Sequence, residues 1–440
     1  MIELSLESIP VEPKGRSFWR NPSAWIYEKG LSGDYWIFFS AAFFFDAGFA
    51  VYYFLFNLYM LDCGFQERQI GWIGGALALG SVVGTLPAGA LTRRIGLKRV
   101  FTILFIVAPL LHALRVFWVW EPAQISLGFL SGIAMSSWGV CFLPAIARLT
   151  TSSNRTSAFS FIFSVSIGTS MLGGIICGYL RRILSSAGIT MQPIDVKRLI
   201  LLTASAIVFI GLLPLLRLRL PADTAADLPV ANRLPRLRRL RLPSVRPFLL
   251  RFLVCMTLWS VLLAAFTPFA NVYLARDLHI PMEQIGLLFS VVQMIQLCMG
   301  LFTPVVFRVL GLVRGIAVTQ FAAALLLCGM AAATNARFAV AFYLIFSAAQ
   351  WMSSPGLYNL LMSETPDAER SSAAATTLFL NALASSGATA SAGLLFTQFG
   401  YPRVFSGLAV IAALCSGLVL LLMTQTCNEN TISPGEPCST

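Results

Sequence analysis

Charge is what this sequence has least of: only 11% of its 440 residues are Asp, Glu, Lys or Arg, against roughly 25% in an ordinary soluble domain. With 57% of positions hydrophobic, the chain cannot hide its apolar surface in one aqueous core, so lipid is the expected solvent. Two histidines and nine scattered cysteines, with no Cys-x-x-Cys, supply neither metal-ligand spacing nor a disulfide framework. There is no phosphate-cradling glycine loop, no nucleophile–base pair and no soluble catalytic or nucleotide domain. An enzyme and an ATP-driven pump are therefore not expected, nor is a cofactor or metal. The N-terminus carries acidic residues and no apolar h-region, so a cleaved signal peptide is not expected.

What is present is apolar runs. A membrane-spanning helix needs roughly 20 apolar residues, and twelve candidates fall near 35–61, 70–91, 100–119, 125–149, 158–180, 199–216, 248–275, 285–307, 316–334, 337–361, 373–396 and 404–425. This predicts an all-α membrane protein of 12 transmembrane helices in two six-helix bundles. The N-terminal bundle covers 35–216 and the C-terminal bundle 248–425. They are joined by a basic linker over 217–247, preceded by an interfacial segment over 1–34 and followed by a disordered tail over 426–440. Phe18, Trp19, Trp25 and Tyr27 suit a lead-in resting at the membrane surface.

The net charge of +12 is explained by membrane orientation and not by nucleic acid. With the N-terminus inside, 22 of the 31 Lys and Arg lie on the cytoplasmic side, including 9 between Arg217 and Arg251. Eight lie on the opposite side, and Arg115 falls within the third span. The asymmetry places both termini in the cytoplasm of a plasma (inner) membrane protein. The basic linker then meets anionic lipid, and a partner-binding role for it stays open. A monomer is expected.

The two halves repeat one another. Gln69-Ile70-Gly71 recurs as Gln284-Ile285-Gly286, Arg155 as Arg370 and Gly178 as Gly393, all 215 residues apart. Two equivalent membrane halves have a natural solute site at their interface. A transporter of a small molecule follows.

Between the second and third spans stands Gly84-Thr85-Leu86-Pro87-Ala88-Gly89-Ala90-Leu91-Thr92-Arg93-Arg94-Ile95-Gly96-Leu97-Lys98-Arg99. This resembles the signature of the major facilitator superfamily, roughly G-x-L-A-D-R-x-G-R-R. The resemblance extends to the topology of the whole chain, with a weaker echo at Arg308–Arg314. It implies a secondary active transporter working by alternating access. It also implies a cytoplasmic gating motif at Gly89, Arg93, Arg94, Gly96, Lys98 and Arg99, and a cavity lined by helices 1, 4, 7 and 10. Arg93 replaces the usual Asp, and helix 5 has Gly168, Gly173, Gly174 and Gly178 without the Gly-Pro pair of drug–proton antiporters. Those differences weaken, without removing, a multidrug or metabolite efflux pump as the alternative. A transport-silent receptor or assembly partner is the other alternative.

Asp46 lies mid-helix in an aromatic run, where a carboxylate costs roughly 2.5–3.5 kcal/mol on insertion scales. At about 100° per residue, Tyr53 and Asn57 fall within about 20° of it on one helix face. The second half repeats the geometry with Ser260, Thr267 and Asn271, 214 residues on. Asp46 is expected to couple transport to protons, or else to hydrogen-bond a neighbouring helix or pair with Arg115 and only hold the bundle together. Tyr53, Asn57, Trp138, Asn271, Gln293, Gln296, Gln350 and Asn381 are the candidate solute contacts. His112 and Arg115 are expected to snorkel near the outer interface. With one acidic and no basic group in the cavity, a multiply anionic solute is disfavoured, and Arg115 in the cavity would reverse that.

Overall fold

The computed structural model describes residues 30–151, 154–188, 191–219, 247–365 and 370–430. The 217–247 linker, the N-terminal interfacial segment and the tail thus lie almost wholly outside the described residues. The chain forms α1 (Gly33–Asp62), α2 (Glu67–Ile95), α3 (Leu97–Phe117), α4 (Glu121–Leu149) and α5 (Arg155–Ser186). Next, α6 (Pro193–Ile210) is prolonged by Leu212–Arg217, and α7 (Pro247–Phe266) runs on through 3-10, α and π turns to Asp277. Then come α8 (Met282–Leu310), α9 (Leu312–Ala332) and α10 (Ala336–Glu364). The last helical stretch, Arg370–Asn430, is broken at Gly400 (φ 73°) into α11 and α12.

Among the described residues, ten helices are long and apolar enough to cross a membrane, the tenth being the 46-residue Thr376–Leu421 that contains the Gly400 break. Counting that stretch as two and adding α10, which has 29 residues, gives twelve rods of spanning length. The final helix continues to Asn430, a few residues beyond the expected start of the tail.

Local chemistry sets the ends. The Ser32 hydroxyl accepts from the Tyr35 N–H at 3.1 Å and starts α1. Gln66 and Gln69 form a reciprocal cap on α2, with the Gln66 N–H donating to Gln69 Oε1 at 2.8 Å. Gly96 (φ 85°) and Gly311 (φ 78°), 215 residues apart, turn α2 into α3 and α8 into α9 in the left-handed region that favours glycine. Lys98 then ties this turn to the end of α6, its Nζ donating to the Leu216 carbonyl at 2.8 Å.

Short connections make successive helices antiparallel, so the bundle has an α1–α2 end and an α2–α3 end. Small residues let the backbones touch, as lipid-embedded helices without a hydrophobic drive require. Within the first half, a Cβ on Gly84 would lie 2.7 Å from Ile133 Cα, so α2 and α4 cross in contact. Across the halves, the repeat becomes a pair of matched crossings. A Cβ on Gly71 of α2 would lie 2.9 Å from Gly393 Cα of α11. A Cβ on Gly286 of α8 would lie 2.9 Å from Gly178 Cα of α5. Four of the residues that repeat at an interval of 215, Gly71, Gly178, Gly286 and Gly393, are therefore those on which the two halves meet.

These crossings lie at the α1–α2 end only. Leu86 shares the α2 face of Gly75 to within about 20° and lies about 16 Å further along the helix. Gly75 abuts α11 at Ser386 and Ala390, yet Leu86 is 80% exposed. Its equivalent Leu301 on α8 is 74% exposed. The same helix faces are thus closed at one end of the bundle and open at the other.

Candidate functional site: a cavity between the halves

Beneath the closed end lies a cavity of about 450 Å³, lined from both halves. From α1 come Asp46, Phe49, Tyr52, Tyr53, Phe56 and Asn57, and from α7 come Thr267, Pro268 and Asn271. α2, α3, α5, α8 and α11 add Ile73, Arg115, Ser166, Ser170, Phe289 and Thr389 among others. The lining includes nothing from α4 or α10, which corrects the expectation that helices 1, 4, 7 and 10 form the wall. Of the expected residues, Asp46, Tyr53, Asn57 and Asn271 are brought together. Tyr53, 48% exposed, projects into the space.

The other expected contacts lie elsewhere. Trp138 stacks on Phe45 with ring centroids 4.0 Å apart, inside an aromatic cluster with Phe38, Phe101 and Phe142. Gln293, Gln296, Gln350 and Asn381 are half-buried and outside the lining. The Gln350 Oε1 and Asn381 Oδ1 atoms are buried with no hydrogen-bond partner among the described residues.

Asn57 and Asn271 do more than line the wall. Asn57 Nδ2 donates to the Pro268 carbonyl at 2.8 Å, and Asn271 Nδ2 donates to the Phe54 carbonyl at 3.2 Å. The donors are 214 residues apart, and so are the acceptors. This is one bond made twice across a pseudo-twofold axis, clasping α1 to α7. Nearer the chain connections, Glu67 of α2 accepts from Arg276 Nη1 at 2.6 Å and from the Tyr401 hydroxyl at 3.1 Å. Glu67 is nearly buried, with a side chain 5% exposed. The Arg68 N–H donates to Thr397 Oγ1, and Ser290 Oγ donates to the Met171 carbonyl. Every one of these cross-half bonds lies in the α1–α2 half of the bundle.

Asp46 contacts Ser166 of α5, the neighbouring-helix contact weighed as its structural role, while no ion pair joins it to Arg115 among the described residues. His112 and Arg115 do not snorkel at the surface: each is 2% exposed. The His112 ring stacks on Tyr52 at 4.1 Å. The reason is a residue the sequence reading passed over. Gln124 of α4, fully buried, donates to the Arg115 and Trp118 carbonyls and accepts from Arg115 Nε at 3.3 Å. It caps the end of α3 and turns the guanidinium inward over the Phe56 ring, 4.1 Å from its centroid.

Of the expected gating residues, Gly96 makes the α2–α3 turn, while Arg93, Arg94 and Arg99 are exposed. The described ion pairs do not include them.

Two pseudo-equivalent helical halves around a shared central cavity are the architecture of a multi-pass membrane transporter. The sequence profile of the Major Facilitator Superfamily matches residues 38–389, and the chain belongs to that superfamily. Similar folds include the nucleoside transporter NupG (TM-score 0.71, 14% identity, covering 90% of this chain and 99% of that one). A D-xylose–proton symporter gives a TM-score of 0.69 at 14% identity, over 88% of this chain and 96% of that one. A bacterial homologue of the human lysosomal transporter Spinster, inward-facing and unoccupied, gives 0.72 at 12% identity, over 92% and 100%. No curated protein matches the sequence.

Proposed function

We propose that this chain is a secondary active transporter that moves a small organic solute by alternating access, coupled to protons through Asp46. The observation that carries the reading is the asymmetry of a symmetric structure. The glycine crossings and the asparagine clasp hold the α1–α2 end shut, while the same faces of α2 and α8 stand apart at Leu86 and Leu301. The excess of Lys and Arg at the α2–α3 end makes that end cytoplasmic, so the state is inward-open, like the Spinster homologue. The conversion to the outward-open state exchanges one set of matched contacts for the other. Continuing the antiparallel registers of Gly71 with Gly393 and of Gly286 with Gly178 brings Leu86 to Leu378 and Leu301 to Phe163. Leu378 and Phe163 are 56% and 52% exposed, an apolar seam ready to close.

Asp46 is the coupling group because it is the carboxylate in the cavity lining and has no cationic partner among the described residues. Protonation lets it cross the closed intermediate uncharged, removing the cost of an intramembrane carboxylate. Tyr53 and the serines beside it serve as solute contacts. The xylose–proton symporter among the similar folds is in keeping with such coupling. The test is a proteoliposome assay with an imposed pH gradient and a pooled metabolite mixture, read by mass spectrometry for the native chain and for Asp46→Asn. Gradient-driven accumulation present in the native chain and absent in the variant is expected. Equal accumulation by both would remove Asp46 from coupling and leave a facilitator. No movement of any solute by the native chain would count against transport.

A further inference from the structure

Arg115 is a buried cation without a counter-ion. It is 2% exposed, it lines the cavity, and among the described residues no carboxylate pairs with it. Its Nε is held by Gln124 and its flat face by Phe56. The two terminal guanidinium nitrogens have no hydrogen-bond acceptor among the described residues. Asp46 is not a candidate partner by position. It precedes Phe56 by ten residues on α1, which is about 15 Å along the helix axis. The cavity is therefore bipolar, with an acid toward its open side and a base at its closed end.

A charge withdrawn from water without a partner costs several kcal/mol, and side chains that could have relieved it by packing alone abound in this chain. The geometry is instead what recognition of an anion requires. The guanidinium is oriented by a buried amide and backed by an aromatic ring, and it lines a cavity whose wall also includes Phe49, Tyr52, Tyr53 and Phe289. The C-terminal turn of α3, in which Arg115 lies, favours a cation there through the helix dipole.

We infer that Arg115 is the docking group for an anionic head on the transported solute, whose apolar or aromatic body lies against those four rings. This rests on the transporter reading and deepens it: the substrate class is an organic anion, carboxylate or phosphate. Asp46 and Arg115 then have separate tasks, one for the proton and one for the solute. A bound monoanion neutralises Arg115 while a proton neutralises Asp46, so the loaded cavity closes with neither group bearing an uncompensated charge. Gln124 is a positioning residue in this scheme, acting through Arg115.

The test is titration calorimetry on the full chain in lipid nanodiscs, using benzoate, phenyl phosphate and the uncharged benzamide as probes. Saturable binding of at least one anion is expected, with benzamide weaker by about 10-fold or more, since hydrogen bonds to a charged group carry the difference. Arg115→Gln should lose about 10- to 100-fold in anion affinity and bring it to that of benzamide. Arg115→Lys should fall between the two, because a point charge replaces a planar fork. Preference for benzoate assigns a carboxylate head and preference for phenyl phosphate a phosphate head.

Benzamide binding as tightly as the anions would overturn the inference in the native chain alone, whatever the variants do. No saturable binding of either anion would overturn it too, as would undiminished anion binding by a folded Arg115→Gln. The result separates from that of the proteoliposome assay. Gradient-driven, Asp46-dependent transport without an anion site would leave the transporter and remove this inference. Arg115-dependent anion binding without transport would do the reverse.

Discussion

The asparagine clasp can be broken without touching the helix crossings around it. Replacing Asn57 and Asn271 by leucine keeps the approximate volume and removes both cross-half donors, leaving the Pro268 and Phe54 carbonyls without those bonds. Polar side-chain bonds between membrane helices are worth about 0.6 kcal/mol on average and up to about 1.7, and neutral bonds generally about 0.5–1.5. Both bonds cross the interface that must part in the outward-open state, so nearly all of their worth is differential between the states. The double variant should therefore favour outward opening by about 1–3 kcal/mol, which is a shift of roughly 5- to 150-fold in the ratio of states.

The shift is measurable by double electron–electron resonance in nanodiscs, with spin labels on exposed positions at the α1–α2 end, Ser185→Cys in the first half and Thr334→Cys in the second. Exposed native Cys298 and Cys328 are replaced by serine for the purpose. A longer-distance population should grow in each single variant and grow again in the double. The Asn57→Leu change should be the larger, since its bond is 2.8 Å against 3.2 Å. An unchanged distance distribution in the double variant would refute the clasp as a determinant of the closed end. A large effect from one asparagine and none from the other would refute its twofold character.

The opposite end offers the converse perturbation. In Leu86→Cys/Leu378→Cys, a short thiol cross-linker should react poorly in the inward-open state and efficiently once outward opening is favoured by the double asparagine change; equal cross-linking in both backgrounds would rule out the seam. The glycine crossings should tolerate almost nothing: Gly393→Ala places a methyl group against Gly71 Cα and the Glu67 carbonyl, and overpacking of this kind costs about 1–3 kcal/mol. Gly178→Ala, whose nearest atom would be the Glu283 carbonyl at 3.0 Å, should be milder. Thermal unfolding in nanodiscs and the same spin-label distances should rank the two in that order, and a reversed order would show that the crossings are not rigid.

The architecture was legible because a repeat leaves its period in the sequence. Glycines 71 and 178 recur at 286 and 393 because two pseudo-equivalent crossings need a bare backbone at the same heights, and a search for repeats finds that constraint without any structure. The polar face of α1 was legible for a similar reason, since helical geometry alone puts Asp46, Tyr53 and Asn57 on one side. What periodicity does not carry is which partner lies opposite that side. Asn57 and Asn271 line the cavity, and that their amides also close on each other's helices depends on what lies opposite them. Gln293, Gln296 and Gln350 share that polar character and lie outside the cavity lining.

Arg115 marks the limit most sharply. In the last turn of α3, with Trp118 and Trp120 just beyond, it has every local attribute of a side chain reaching out to the membrane surface. Helix phase could not settle the matter, because a long arginine stem can swing to either side of its own helix. The direction is fixed by Gln124, nine residues away on the next helix, whose amide holds both the end of α3 and the guanidinium Nε. That non-local contact changes the chemistry of the whole cavity. With Arg115 at the surface, the site has a lone acid and suits a neutral or cationic solute. With Arg115 inside, it has a base beside Phe56, ten residues along α1 from the acid, and the favoured solute becomes an anion. A single buried amide on α4 therefore decides the charge of the favoured solute.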